Sequence, residues 1–154
     1  MLLPGAGRPD KILSPAVLAE VATRLVGRGL DTVVAWGPAE EGRAREIVEL
    51  AADEVHLAPP TDLLELAALL SAAGLVVGGD TGPVHLAASL GTPTLAVFLT
   101  TDPERNGPVG ERVGIVTGAA AGCGPSGSAT TGRERDGSAI EIDAAAGELL
   151  GSRS

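Results

Sequence analysis

Leu75-Val76-Val77-Gly78-Gly79-Asp80-Thr81-Gly82-Pro83-Val84-His85-Leu86-Ala87-Ala88 passes directly from an apolar run into a helical pattern. Leu75 to Val77 predicts a short buried strand and Gly78 to Gly82 a tight turn. Val84, Ala87 and Ala88 then give the stripe of a helix closed by Gly91. The same alternation continues in both directions. Upstream, Ser14-Pro15 opens a helix through Leu18, Val21, Ala22 and Leu25, with a hydroxyl cap and Pro at the first helical position, and Gly27 and Gly29 end it. Asp31 to Trp36 reads as a strand stopped by Gly37-Pro38, and Ala44, Ile47, Val48 and Ala51 mark the next helix. Glu54 to Leu57 is a short strand, and Thr61 is the predicted cap of a helix using Leu63, Leu66, Ala67 and Leu70. Downstream, Thr94 to Phe98 and Val113 to Thr117 are strands, and Ile140 to Leu150 is a helix weakened by Gly147. Strands alternating with helices of this length predict an α/β fold, a Rossmann-like parallel sheet with helices on both faces.

The 154 residues suffice for one domain that buries roughly 70% of its unfolded surface. Tyr is absent and there is one Trp and one Phe, so the core must be built from Leu, Val, Ile and Ala. A net charge of -9, with Lys11 and ten scattered arginines as the only cations, argues against a nucleic-acid groove, though a local phosphate site is compatible with it. One cysteine, Cys123, allows no internal disulfide, and with only His56 and His85 beside it no metal site is expected. No basic leader precedes an apolar segment, and no apolar run approaches the ~18 residues that would span a bilayer, so a cytoplasmic protein is expected.

In an open parallel sheet, ligands sit at the carboxyl ends of the strands, which directs attention to the loops at 4–11, 37–41, 58–61, 78–82 and 99–110. The glycines of 78–82 let backbone approach a ligand, and Thr81, Gly82 and Val84 are expected to offer free amides at a helix N-terminus, where the dipole favours an anion. Thr81 and His85 are four apart and are expected on one helical face, with Ser89 one turn deeper. The alternative for this segment is a simple cap and a helix-face histidine. Lys11 either meets phosphate or is a solvated lysine. Glu40 and Glu41 either accept ribose hydroxyls or favour a helix N-terminus by charge. Arg105 is a phosphate or sugar contact, or a loop-internal ion pair. Asp80-Thr81-Gly82 also matches the aspartic-protease triplet, but that fold is all-β and this triplet opens an alanine-rich helix.

Taken together, Pro4-Gly5-Ala6 with Lys11, Trp36-Gly37-Pro38-Ala39-Glu40, Leu66 to Gly74, Val77 to Ala88 and Thr101 to Gly110 strongly resemble glycosyltransferase family 9, the bacterial lipopolysaccharide heptosyltransferases, in order and spacing over about residues 1 to 118. The resemblance implies one half of a two-domain GT-B architecture. Residues 1–118 would form the nucleotide-sugar donor domain, 119–137 a flexible segment rich in Gly, Ala, Ser and Thr, and 138–154 a helix and tail. It implies an inverting, metal-independent transfer of heptose from ADP-heptose to a lipopolysaccharide core acceptor, without a cofactor. Lys11, Thr81 and the Gly82 amide would hold the diphosphate, Glu40 the ribose, and Asp80 and His85 the sugar end. The general base and acceptor groove would belong to an N-terminal half or separate chain, so this chain alone is expected to be an incomplete enzyme, peripheral to the inner membrane face only through that half. Met1 falls where the first strand of the donor domain should already be running, which reads as a truncated or split product. Leu13 stands where the family often has tryptophan, and only Cys123-Gly124-Pro125 and the final helix faintly resemble its C-terminal end. The other readings are a stand-alone nucleotide-sugar binding module and half of a non-hydrolysing nucleotide-sugar epimerase.

Overall fold

In the computed structural model, which describes residues 1–5, 12–118 and 138–151, six strands form one parallel sheet in the order β3-β2-β1-β4-β5-β6. The strands are β1 (Leu2–Leu3), β2 (Thr32–Val34), β3 (Val55–Leu57), β4 (Val76–Gly79), β5 (Thr94–Phe98) and β6 (Val113–Thr117). Between them run α1 (Pro15–Gly27), α2 (Glu41–Leu50), α3 (Leu63–Ala72), α4 (Gly82–Ser89) and α5 (Pro103–Asn106), and α6 (Ala139–Gly151) follows β6. The two residues of β1 are central: Leu2 is in register with Val34 on one side and Val77 on the other. The predicted segment 119–137 and Lys11 lie outside the described residues.

Parallel strands covered on both faces must be apolar at consecutive positions. The pleat sends Leu2, Val77, Leu95 and Val97 to one face, where they pack with Leu18, Val21 and Leu25 of α1, Ile47 of α2 and Ile142 and Ala146 of α6. Leu3, Val76, Ala96 and Phe98 point to the other face, against Leu70 of α3 and Val84 and Ala87 of α4. The final helix thus shares a core with α1. Arg28, beyond the end of α1, fixes that contact by donating to Asp143 at 2.6 and 3.0 Å. A Cβ on Gly147 would lie 3.0–3.2 Å from the Arg28 guanidinium, so the glycine that weakens α6 locally is what admits the ion pair.

Ser14 caps α1 by accepting from the Val17 amide at 3.3 Å, and Gly29, at φ +79, carries the chain out of the helix. Three expectations need correction. Asp62, not Thr61, caps α3: its carboxylate accepts from the Glu65 amide while Glu65 accepts from the Asp62 amide, both at 2.8 Å, a reciprocal pair that Thr61 is one residue out of step to make. The strand predicted to reach Trp36 ends at Val34, and the Trp36 indole beyond it donates to the Ala58 carbonyl at 2.9 Å. Gly78 and Gly79 belong to β4 rather than to a turn, paired with Ala96 and Val97 of β5. Helix α5 was not foreseen, since four residues show no periodicity, although Asp102-Pro103-Glu104 carries a local start signal and Asp102 accepts from the Glu104 amide at 2.9 Å.

The Met1 ammonium donates to the Leu75 carbonyl at 2.8 Å, and burial lowers its pKa from 8.0 to about 6. As pH falls from 8 to 6, the unfolded chain takes up this proton and the folded chain does not. Stability from this group is therefore full above pH 8 and is lost as pH falls through 6, by about 3 kcal/mol. Urea unfolding at pH 5.5 and 8.5 checks this, with the N-acetylated chain expected to lose that part of the difference.

Candidate functional site

The strand order reverses at β1 and β4, so the loops leaving their carboxyl ends part and open a crevice between them. A cavity of about 650 Å³ fills it, with Leu3, Ala35, Trp36 and Leu66 as apolar wall and Glu40, Asp80, Thr81 and Gly82 as polar lining. A mostly apolar cleft with a few convergent polar groups is the usual form of a small-molecule site.

At one end stands Glu40. Residues 37–40 form a turn closed by the Glu40 amide donating to the Gly37 carbonyl at 3.0 Å, with Pro38 in the second position and Ala39 in the third at φ +66. That left-handed residue is a position glycine would ordinarily take, so the turn holds local strain. The turn returns the Glu40 carboxylate to accept from the Gly37 amide at 2.9 Å. A Cβ on Gly5 would overlap the same carboxylate, lying 2.6 Å from Cδ of Glu40. Two glycines therefore frame one acidic side chain. Glu41 behaves differently: it pairs with Arg45 at 2.6 Å along α2, so of the two glutamates after β2 it is Glu40 that lines the cavity.

At the other end is the first turn of α4. Thr81 is its cap, extended at φ -143, but its hydroxyl donates to the Gly79 carbonyl at 3.4 Å and does not cap the helix. Val84 was expected to offer a free amide, yet it donates to the Thr81 carbonyl at 3.1 Å, and Pro83 has no N–H. The Gly82 amide, in the first turn, has no intrahelical acceptor and remains a donor at this end. Thr81 stands at the N-cap, its carbonyl accepting from the His85 amide at 3.2 Å. The His85 Nε2 meets Asp80 Oδ1 at 3.3 Å. Ser89 donates to the His85 carbonyl at 2.6 Å and so does not extend the site.

Asp80 is the hub of this end. Its side chain is 11% exposed against 40% for His85, and its Oδ2 accepts from the Thr101 hydroxyl at 3.0 Å. Thr101 was missed as a site residue because its partner is 21 positions away in the chain; the available signal was that its loop leaves β5, the strand beside β4. A second cavity, of about 390 Å³, adjoins Asp80 and is lined by His85, Arg105, Asn106 and Gly107. The structure thus gathers Glu40, Asp80, Thr81, Gly82 and His85 at one edge of the sheet. Among the described residues no group of three His, Cys, Asp or Glu side chains could hold a metal ion, and no helix is long and apolar enough to cross a membrane.

Known proteins share both the sequence and the shape. Lipopolysaccharide heptosyltransferase 1 of Salmonella typhimurium is 37% identical over 97 residues, 62% of this chain and 30% of that protein. The solved E. coli heptosyltransferase WaaC with ADP superposes with a TM-score of 0.72 at 32% identity, over 77% of this chain and 37% of that one. The E. coli ADP-heptose heptosyltransferase II structure has the same fold at 22% identity, with a TM-score of 0.79 over 97% of this chain and 45% of that one, so the described fold is one half of a GT-B architecture. The chain spans about a third of the length of the curated relatives it matches. The family model of glycosyltransferase family 9 (heptosyltransferase) matches residues 1–134, and the chain belongs to that family.

Proposed function

We propose that this chain is the donor-binding half of a heptosyltransferase, taking ADP-heptose in the crevice between β1 and β4. The observation that carries the proposal is the 650 Å³ cavity with Glu40 at one end and the α4 N-terminus at the other. A carboxylate held by a backbone amide suits a vicinal diol, because it can accept from two hydroxyls at once, so Glu40 takes the ribose. The apolar wall at Trp36 and Leu66 takes the base. The Gly82 amide, the α4 dipole and the Thr81 hydroxyl receive the diphosphate, joined by Lys11. Asp80 and His85 face the sugar end.

In the transfer, the bond between the anomeric carbon and the diphosphate oxygen breaks and ADP leaves with the electron pair. A bond forms to a hydroxyl of the lipopolysaccharide core acceptor with inversion, and that hydroxyl's proton goes to a base supplied outside this chain. Negative charge develops on the departing diphosphate, and groups preorganised around it stabilise the transition state more than the ground state. That is the contribution of this half. Acceptor binding and proton removal belong to the other half of the GT-B architecture.

Calorimetric titration with ADP, UDP and ADP-heptose, alongside thermal melting, tests the reading. Saturable, adenine-selective binding with stabilisation on ligand addition is expected. No heat and no stabilisation from a folded chain would overturn it. Lys11→Ala is expected to weaken ADP binding by about tenfold, the loss of one charge-assisted phosphate contact, with an unchanged melting temperature.

A further inference from the structure

The chain just past β1 is gripped from the start of α2. Glu40 and Arg43, three residues apart there, both reach it. The Glu40 carboxylate lies against Gly5, where a Cβ would overlap it, and the Arg43 guanidinium donates to the Pro4 carbonyl at 3.4 Å, 39 positions back in the chain. The geometry points to Arg43 as a positioning residue: by holding Pro4 and Gly5 it keeps Glu40 aimed at the ribose diol, and so sets how strongly the site prefers a ribonucleotide to a 2′-deoxyribonucleotide. This inference rests on the donor-binding reading above, with Glu40 on the ribose.

Arg43 is committed to this tie. Arg24, Arg28 and Arg45 each pair with a carboxylate, of Glu20, Asp143 and Glu41 respectively. Among the described residues Arg43 has no such partner, and its bond goes to a main-chain oxygen. Pro4 is buried, lies one residue past the end of β1 and has no N–H with which to continue the ladder. Backbone oxygens of buried residues require donors, and Arg43 supplies one here. Because the guanidinium is spent on a carbonyl and not on Glu40, the carboxylate keeps its acceptor capacity for hydroxyls.

Glu40 is thus held from two directions, by the Gly37 amide at 2.9 Å and by the Gly5 backbone, and Arg43 fixes the second of these. Both Gly5 and Glu40 line the 650 Å³ cavity. A glutamate side chain has several torsions to order, and a wall that narrows them beforehand lowers the cost of meeting the diol. Without the guanidinium, Gly5 can recede and the carboxylate loses that wall. A 2′-deoxyribose, which offers one hydroxyl where the diol offers two, gains less from the alignment.

Calorimetric titration of the full chain and its Arg43→Met variant with ADP and with 2′-deoxy-ADP tests this. The parent is expected to prefer ADP about tenfold, the worth of one hydrogen bond to a carboxylate, and the variant about threefold, with melting temperatures close to each other. Arg43→Gln, whose shorter side chain keeps its donor out of reach of Pro4, should match the Met variant and serves in its place if that chain does not fold. Arg45→Met removes an equal charge from α2 and should keep the parental preference. Retention of the parental preference in both Arg43 variants overturns the assignment, and so does an equal fall in Arg45→Met, which would make the effect one of charge. An equal loss for both nucleotides would place the guanidinium on the diphosphate and overturns it too. Glu40→Ala tests the underlying reading separately: a preference for ADP that survives there takes Glu40 off the ribose and this inference with it, as does failure of the parent chain to bind ADP.

Discussion

Gly78→Val is expected to lower stability by about 3 kcal/mol, at the upper end of the usual cost of overpacking a core. A Cβ at residue 78 would sit 2.8 Å from Val84 Cγ2, 3.0 Å from Leu3 Cβ and 3.1 Å from the Leu3 carbonyl oxygen. None of these atoms is the free end of a flexible chain: Val84 is fully buried in α4, and Leu3 belongs to the central strand. The branched side chain must therefore push α4 off the sheet or part β1 from β4. Gly78→Ala, with the Cβ alone, is expected to cost about half as much. Gly82→Ala serves as the control from the same segment, because nothing lies within 4 Å of its Cβ, and it should unfold at the parental urea concentration. Urea titrations of the three variants check the order. Since α4 carries Thr81 and Gly82 into the cavity, the Gly78 variants should also bind ADP more weakly even at temperatures where they remain folded.

That glycine shows where the sequence could be read and where it could not. The alternation of apolar strands with helical stripes was legible, because a sheet buried on both faces forces consecutive apolar residues and covering helices force a 3.6-residue period. Thr94 to Phe98 and Val113 to Thr117 have the same limits in the sequence and in the structure. Gly78 and Gly79 were misplaced because glycine marks a turn and a close helix-sheet contact with the same letter, and only the third dimension distinguishes them. The capping box of α3 was legible in principle, as Asp62-x-x-Glu65, but Thr61 competes one residue earlier. In the site, Glu40, Asp80, Thr81, Gly82 and His85 were within reach, since all follow the carboxyl ends of strands. The pairing of His85 with Asp80, and of Asp80 with Thr101 across 21 positions, depends on side-chain directions that no linear spacing encodes. The same holds for Gly5, whose value lies in its distance from Glu40.

Glu40→Ala is expected to weaken ADP binding by about thirtyfold while leaving inorganic pyrophosphate binding unchanged. The magnitude is that of hydrogen bonds to a charged group, ~2 kcal/mol, lost where the carboxylate would accept from the ribose. The selectivity follows from position, because Glu40 is held by Gly37 at the β2 end of the cavity while the anion site lies at Gly82 on α4. Thr81→Ala is the counterpart and should weaken both ligands. Gly5→Ala offers a second route to the same result without removing the carboxylate. Its Cβ would occupy the space of Glu40 Oε1, and the side chain can swing away at little cost to folding, but it then leaves the Gly37 amide and the place from which it meets the diol. Calorimetry on the two variants should therefore give the same pattern, with ADP weakened, pyrophosphate retained and melting temperatures close to the parent. Pyrophosphate affinity falling in step with ADP would mean that Glu40 acts through the fold of the crevice. ADP affinity surviving Glu40→Ala would move the nucleoside elsewhere in the cavity and take the base off the Trp36 wall.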